Sequence, residues 1–188
     1  MFGGTVRASA AEHLQPLPGD DRIPSSIGAL THAVTIDAAP EDIWPWLVQM
    51  GAGRAGWYSY DMFDNRGYHS ANALLPEWQH LAVGTLMPAL PGVREGFIVL
   101  AFEPLHFLVL GWGSPEVPQL VTWAFVLKPI SAERTRLLVR ARGGPGYRLF
   151  GMPPGMSQLL ARPVHWLMQR KQLLGIKQRV EHAKSLAA

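Results

Sequence analysis

Residues 155–184 read GMSQLLARPVHWLMQRKQLLGIKQRVEHAK, and this stretch decides the fold of the chain. Its apolar residues recur at mostly helical spacing. They are Met156, Leu159, Leu160, Pro163, Leu167, Leu174 and Ile176. The residues between them are largely basic: Arg162, Arg170, Lys171, Lys177 and Arg179. The pattern predicts one long amphipathic helix with a basic outer face, and Pro163 should kink this helix or mark the start of its main part.

The stretch that precedes this helix indicates strands separated by turns. Five strands are predicted, at residues 83–88, 96–102, 106–112, 120–128 and 135–142. The turns at 103–105 and 129–133 are short, which favours antiparallel pairing. In the last strand, alternation puts the apolar residues on one face and the arginines on the other. The apolar face carries Leu137, Val139 and Ala141, and the other face carries Arg136, Arg140 and Arg142.

The first part of the chain is less regular. Residues 1–28 are rich in Gly, Pro, Asp and Ser without a period, and they predict an extended arm. Residues 31–36 predict a strand, and a helix follows with Asp37 as a candidate cap and Pro40 in its first turn. Residues 54–78 predict a short helix near 59–65 within a long polar and aromatic loop. Such loops often carry function.

Composition limits the classes of protein. The 188 residues fit one domain, and seven Trp within 48% hydrophobic content require a large core or a lined cavity. The net charge of +3 comes without basic residues clustered beside exposed aromatics, so nucleic-acid binding is not expected. The absence of Cys excludes disulfides and Cys-bound metals and fits a cytoplasmic protein. The apolar runs are too broken for stable membrane insertion, and the first residues lack a signal-peptide pattern.

Two blocks of the sequence resemble the START-like (Bet v 1-like, SRPBCC) superfamily, which includes bacterial polyketide cyclase/dehydrase-like proteins. The first is AVTIDAAPEDIWPWLVQMG at 33–51 with RAGWYSYD at 54–61, and the second is HWLMQRKQLLGIK at 165–177. The resemblance covers about residues 30–182 and implies a helix-grip fold. Ser70 and Asn72 stand where relatives often have Asn and Asp. Arg162 and Gln169 stand where an acidic residue is usual on the helix.

Together these observations predict an α+β protein in which a curved antiparallel sheet wraps around a long C-terminal helix. We expect the arm at residues 1–28 to precede one START-like domain at 29–188. Members of the superfamily carry lipids, hormones and polyketides, and some catalyse cyclisation. The resemblance therefore implies a cavity between the sheet and the helix.

The loop at 54–78 supplies the candidate catalytic residues. In a helix-grip fold this loop lies near the cavity mouth, so Tyr58, Tyr60, Asp61 and His69 could point inward. Asp61 or His69 could act as a base, and a Tyr hydroxyl could donate to a developing oxyanion. The alternative is that the aromatic rings fill the core and that Asp61 pairs locally with Arg54 or Arg66. His165 on the last helix, near Arg162 and Gln169, is a second candidate.

Ligand-binding candidates are the large apolar residues expected to face the cavity, since small-molecule pockets are mostly apolar. They are Trp57, Trp78, Trp112, Trp123, Phe125, Leu160 and Leu167. No metal site is predicted, because nothing in the spacing of His69, His106 and His165 makes three ligands converge. No cofactor is expected, because no Gly-rich phosphate loop lies between a strand and a helix.

Three functions remain open at this stage. The leading one is binding of a hydrophobic small molecule, lipid-like or polycyclic, in the internal cavity. The second is an enzyme of the cyclase/dehydratase type that uses acid–base residues of the 54–78 loop. The third is a partner-binding module that uses the basic helix face. The sequence does not define the oligomeric state.

Overall fold

The computed structural model of the protein describes residues 6–112, 120–147 and 152–187. Six antiparallel strands form one sheet in the order β1-β6-β5-β4-β3-β2. The strands are β1 Gly28–Ile36, β2 Leu86–Pro88, β3 Gly96–Glu103, β4 Phe107–Trp112, β5 Val121–Ser131 and β6 Arg134–Gly143. The helices are α1 Ala10–Leu14, α2 Pro40–Val48, α3 Asp61–Asp64 and α4 Pro154–Ala187. Two 3₁₀ turns lie at Asp20–Arg22 and Pro76–Trp78.

The predicted fold class is confirmed: an antiparallel sheet and a long C-terminal helix form one α+β unit. The inner face of the sheet and α4 share the main hydrophobic core. Val34 of β1 and Leu137 of β6 are register partners on this face, and both are buried. Leu173, Ile176 and Val180 of α4 belong to the same core. Their spacing of three and four residues puts them on one side of the helix.

The long helix begins at Pro154, one residue before the predicted start at Gly155. It is continuous from Pro154 through Pro163, so Pro163 does not mark where the main helix starts. Proline lacks a backbone N–H, but one missing donor does not end a helix that packing holds in place. The kink suggested for Pro163 stays a prediction.

The start of α2 corrects the predicted cap. Ala39, and not Asp37, is the residue before the helix, because Pro40 occupies the first helical position. The Asp42 carboxylate accepts the Ala39 backbone N–H at 3.3 Å. Asp37 instead forms an ion pair with Arg134 at 3.0 Å.

The N-terminal arm covers the outer face of the sheet, and part of it is helical. Ala8 and Leu17 pack with Ala33, Val126 and Leu138 in a second small core. The arginines of β6 point to this face, as the alternation predicts, and bind the arm. Arg140 contacts Asp20 at 2.6 Å and the backbone carbonyls of Glu12, His13 and Gln15. Arg136 forms two hydrogen bonds with the Glu12 carboxylate.

Candidate functional site

A cleft of about 350 Å³ lies where one end of the sheet meets the first half of α4. Its apolar wall includes Ile27, Leu30, Val121 and Ala141. These residues come from the start of β1, the start of β5 and the end of β6, which lie side by side because β6 pairs with both neighbours. The long helix closes the other side with Arg162 and His165. The cleft therefore lies between the sheet and α4, at the end of the sheet formed by the start of β1, the start of β5 and the end of β6.

The polar side of the cleft is formed by Tyr147, His165 and Arg162. The Tyr147 hydroxyl and His165 Nε2 are hydrogen-bonded at 2.9 Å. Burial lowers the pKa of His165 and raises the pKa of Tyr147, so both side chains favour their neutral forms. Arg162 is exposed and makes no ion pair with the described residues. It is therefore free to bind an anionic or hydrogen-bond-accepting group.

Arg142 also borders the cleft, but its guanidinium is engaged elsewhere. It contacts the Asp20 carboxylate at 3.4 Å and donates to the backbone carbonyl of Ile23 at 3.1 Å. Both partners belong to the arm on the outer face of the sheet. The guanidinium of Arg142 therefore ties the arm down, whereas that of Arg162 has no ion-pair partner in the part of the chain that the structure describes.

A chain of side-chain hydrogen bonds lies next to the cleft. Trp123 pairs in register with Ala141 of the cleft wall, and its indole N–H donates to Gln169 Oε1 at 2.9 Å. Gln169 Nε2 then donates to Gln172 Oε1 at 2.7 Å. Both glutamines are buried in α4. These bonds satisfy polar groups inside an apolar interior, where an unpaired group would be costly.

Four of the predicted ligand-binding residues come together on the inner face of the sheet. Trp57 stacks on Trp123 with ring centroids 5.5 Å apart, and Trp123 lies 4.9 Å from Phe125. Trp112 joins this group through Phe97, whose ring lies 5.2 Å from Trp112 and 5.0 Å from Trp123. Sequence reasoning missed Phe97, although its alternation with Val99 in β3 was a usable signal. The rings contact one another and form an aromatic layer beside the cleft.

The other three predicted ligand-binding residues lie away from this layer. The Trp78 ring is covered by the Arg54 guanidinium at 4.5 Å from its centroid. Leu160 is half-buried and Leu167 is exposed on α4. Leu167 falls two positions before Gln169, so it points away from the face of the helix that packs on the sheet.

The predicted catalytic residues of the loop are held by local contacts. The Asp61 carboxylate accepts hydrogen bonds from the backbone N–H and the hydroxyl of Ser70. His69 Nδ1 lies 3.7 Å from Asp61, but the His69 side chain is 97% exposed. In the described structure, Asp61 pairs with neither Arg54 nor Arg66, the two partners considered from the sequence. Asp61 therefore acts as the acceptor that closes the loop at Ser70.

The two candidate tyrosines differ in their surroundings. Tyr58 is buried, donates to the Trp46 carbonyl at 3.2 Å and accepts from Gln49 Nε2 at 2.9 Å. Burial raises the pKa of Tyr58, and Arg179 lies over its ring at 4.9 Å. Tyr60 is half-buried with its ring 6.4 Å from that of Phe63. Tyr58 is thus part of the packing between the loop and α4.

Asp64 is a buried carboxyl that the sequence reasoning did not select. Neither of its oxygens has a hydrogen-bond partner among the described residues. Burial, together with the charge of Asp61, raises the pKa of Asp64 to about 6. The three-residue spacing of Asp61 and Asp64 on a short helix was the only signal in the sequence. A carboxyl with this pKa can exchange a proton near neutral pH.

His32 and Tyr147 were also missed. His32 is buried on the inner face of β1, opposite Val139, and burial lowers its pKa. The charges of His13 and His165 lower the pKa of His32 further. Within the described residues, no group of three or more His, Cys, Asp or Glu is arranged to hold a metal ion. No helix in the described ranges is long and apolar enough to cross a bilayer.

The sequence matches no protein-family model and no curated protein. Solved structures do resemble the chain. A protein from Mesorhizobium loti, MLL2253, superimposes with a TM-score of 0.50 at 20% identity, over 82% of this chain and 98% of its own. The di-domain ARO/CYC protein BexL superimposes with a TM-score of 0.44 at 15% identity, over 82% of this chain and 47% of its own. An HSP90 activator from Plasmodium falciparum superimposes with a TM-score of 0.47 at 14% identity, over 75% of this chain and 88% of its own.

At these identities the comparisons bear on the fold alone, and the first carries the argument. The antiparallel sheet and long terminal helix of this chain are the arrangement of the helix-grip fold. The chain therefore has this fold.

Proposed function

We propose that the protein binds a hydrophobic small molecule, lipid-like or polycyclic, in the cleft between the sheet and α4. The observation that carries the proposal is the division of the cleft into an apolar wall and one polar side. Its volume of about 350 Å³ falls within the range of about 300–1,000 Å³ typical of small-molecule sites. Ligand pockets commonly combine apolar walls with a few placed polar groups.

The polar side indicates how the ligand would be oriented. Arg162 has no ion-pair partner within the described residues, and His165 and Tyr147 are hydrogen-bonded to each other. No carboxylate is among the residues that line the cleft. We therefore propose that the apolar body of the ligand lies against Ala141 and Val121 while an anionic or accepting group faces Arg162.

The proposed ligand-binding aromatic residues are not among the described residues that line the cleft, and they lie behind its wall. Trp123 is the nearest of them, because its register partner Ala141 lines the cleft. Trp57, Trp112 and Phe125 back Trp123 through ring contacts. Flat aromatic rings suit ring or alkyl ligands.

Extraction of the purified protein under denaturing conditions, followed by mass spectrometry, tests the proposal. A recurrent stoichiometric compound is expected. Ala141→Phe narrows the cleft and should reduce the bound amount by about tenfold, since a benzyl group fills a large part of a small cavity. Ala183→Phe, at an exposed position of α4, is the matched control and should retain the compound.

A second pair of variants tests the orientation. Arg162→Gln should weaken binding of the extracted compound by about tenfold, because it removes a charge-assisted contact. Arg170→Gln changes an exposed arginine two turns further on and should leave binding unchanged. Absence of any bound compound, or equal retention by Ala141→Phe and the wild type, would contradict the proposal.

The second candidate function is a cyclase/dehydratase-type reaction with acid–base residues from the 54–78 loop. It is supported by the pKa of about 6 at Asp64 and by the contact of Asp61 with His69. Asp61→Asn tests it. Lost conversion of the extracted compound with unchanged thermal stability would support catalysis, whereas a large loss of stability would make Asp61 structural.

A further inference from the structure

The first half of α4 presents an apolar stripe to solvent. Met156, Leu159, Trp166 and Leu167 are exposed to 49%, 74%, 52% and 47%. The steps of three and four residues from Met156 through Pro163 to Trp166 keep these side chains on one face. The half-buried residues Val164 and His165 lie on the opposite side of the helix. The core therefore uses only one face of this part of the helix.

A second exposed apolar group lies on the loop that contacts the middle of α4. Ser59 donates its hydroxyl to the Met168 carbonyl at 3.1 Å, which ties the loop to the middle of α4. The helix α3 begins two residues later and exposes Met62 and Phe63, each to 75%. Large apolar residues that cluster on a surface mark an interaction site more often than scattered ones do.

The charge around the stripe has one sign. Residues 154–180 contain five Lys or Arg and no Asp or Glu. Lys177 is bound by Glu181, and Arg179 donates to the Ala71 carbonyl. Arg170 and Lys171 are exposed at the end of the stripe and make no ion pair within the described ranges. These two cations are available to a partner of opposite charge.

We infer that this face of α4 is a peripheral docking surface for an anionic lipid bilayer. Helices that lie in a membrane interface combine Trp and Leu on one side with Lys and Arg beside them. Trp occupies the level of the lipid headgroups, and basic side chains bind anionic headgroups. A second copy of this chain fits less well, since two such faces would bring Arg170 and Lys171 together with the same charges of the partner.

Docking would also bring the cleft close to the lipid. Arg162 and His165, which line the cleft, lie on the same turns of α4 as the stripe, within one helix diameter of about 10 Å. The proposed ligand could then pass between bilayer and cleft without crossing much water. Only this exchange rests on the proposed function; the docking itself does not.

The test is co-sedimentation of the purified full chain with vesicles of phosphatidylcholine, alone or mixed with phosphatidylglycerol. We expect binding to the mixed vesicles and at least about tenfold weaker binding to phosphatidylcholine alone. Raising the salt from about 0.05 M to about 0.5 M should weaken binding, because it screens exposed charges. The variants Leu159→Ala/Trp166→Ala and Arg170→Glu should each lower binding by about tenfold.

Matched controls keep the test specific. Leu14→Ala changes a leucine that is 85% exposed on α1, and Arg94→Glu changes an exposed arginine outside α4. Both should bind like the wild type, and circular dichroism should show all variants folded. Equal binding to neutral and mixed vesicles, or wild-type binding by Leu159→Ala/Trp166→Ala, would overturn the inference. A dimer in light scattering that the stripe variant converts to a monomer, without vesicle binding, would assign the face to a second copy instead.

Discussion

The indole N–H of Trp123 on β5 donates a hydrogen bond of 2.9 Å to the side-chain oxygen of Gln169 on α4. This bond joins the aromatic layer of the sheet to the long helix beside the cleft. Gln169 in turn donates a hydrogen bond from its Nε2 to Oε1 of Gln172, which is also buried. The indole N–H of Trp123 thus explains why a polar residue, Gln169, is buried at this position of α4.

Replacement of Gln169 by Leu should destabilise the protein. It leaves the Trp123 N–H and the Gln172 oxygen without partners in an apolar interior, which costs about 1–3 kcal/mol of unfolding free energy. Urea denaturation measures the loss. Gln178→Leu, at an exposed position of the same helix, is the control. A Gln169→Leu protein as stable as the control would show that water replaces the bond.

Gly175 should not tolerate alanine, although alanine normally favours a helix. A Cβ at Gly175 would overlap the carbonyl oxygen of Tyr58, whose backbone has a φ of 58°. The loop and α4 touch here, so we expect a net loss of about 1–3 kcal/mol from overpacking. Gln178→Ala on the exposed side should be neutral within about 0.5 kcal/mol. Thermal denaturation of both variants provides the comparison, and a stabilised Gly175→Ala protein would contradict the close approach.

Asp64 should make stability fall as pH rises from about 4 to about 6. Its pKa is raised from 3.8 to about 6 in the folded protein, so the folded state holds the proton in this window while the unfolded state releases it. The loss amounts to about 1–3 kcal/mol at neutral pH. Asp64→Asn should remove this part of the pH dependence and stabilise the protein at pH 7. Urea titrations across the window test this, and an unchanged slope would place the titration elsewhere.

Glu12 should have the opposite pH dependence. Arg136 lowers the pKa of Glu12 from 4.5 to about 2 through a side-chain hydrogen bond. Its stabilisation is therefore present above about pH 4.5 and is lost as pH falls toward 2. With solvent screening, Glu12→Gln should cost about 1–2 kcal/mol at pH 7.

The same variant should loosen the N-terminal arm. Glu12 connects α1 to Arg136, so its loss should speed proteolytic cleavage before β1. Glu77→Gln, at an exposed position without an ion pair in the described structure, is the control. Cleavage of the arm at the wild-type rate in Glu12→Gln would show that the contacts of Arg140 and Arg142 hold it without Glu12.

Much of the fold could be predicted from the sequence, because periodicity is local and reports which face of an element is apolar. The strands at 96–102 and 106–112 were placed to within a residue, and the alternation in β6 separated Leu137 from Arg136 correctly. The cap of α2 was misplaced, because a polar residue three positions before Pro40 resembled a cap more than Ala39 did. The short helix in the arm was also missed, since the arm is held by arginines more than a hundred residues away.

The site was predicted less well than the fold. Trp57, Trp123 and Phe125 were expected to line an interior, and they meet there. The loop residues Asp61 and His69 were expected at a cavity mouth, and that role stays a prediction; in the structure Asp61 accepts a hydrogen bond from the Ser70 backbone and the His69 side chain is 97% exposed. Nothing local distinguishes a carboxylate that will bind a neighbouring backbone N–H from one that will face a ligand.

The sequence by itself determined a sheet, a terminal amphipathic helix and the faces that each presents, because these follow from side-chain spacing along the chain. Only the tertiary structure decided that Tyr147 meets His165, that Trp123 meets Gln169 and that the Asp64 carboxylate is buried without a hydrogen-bond partner among the described residues. Those relationships join residues on different elements or depend on how a loop folds back. Their distances and burial are set by strand register and helix packing, which residue spacing does not encode.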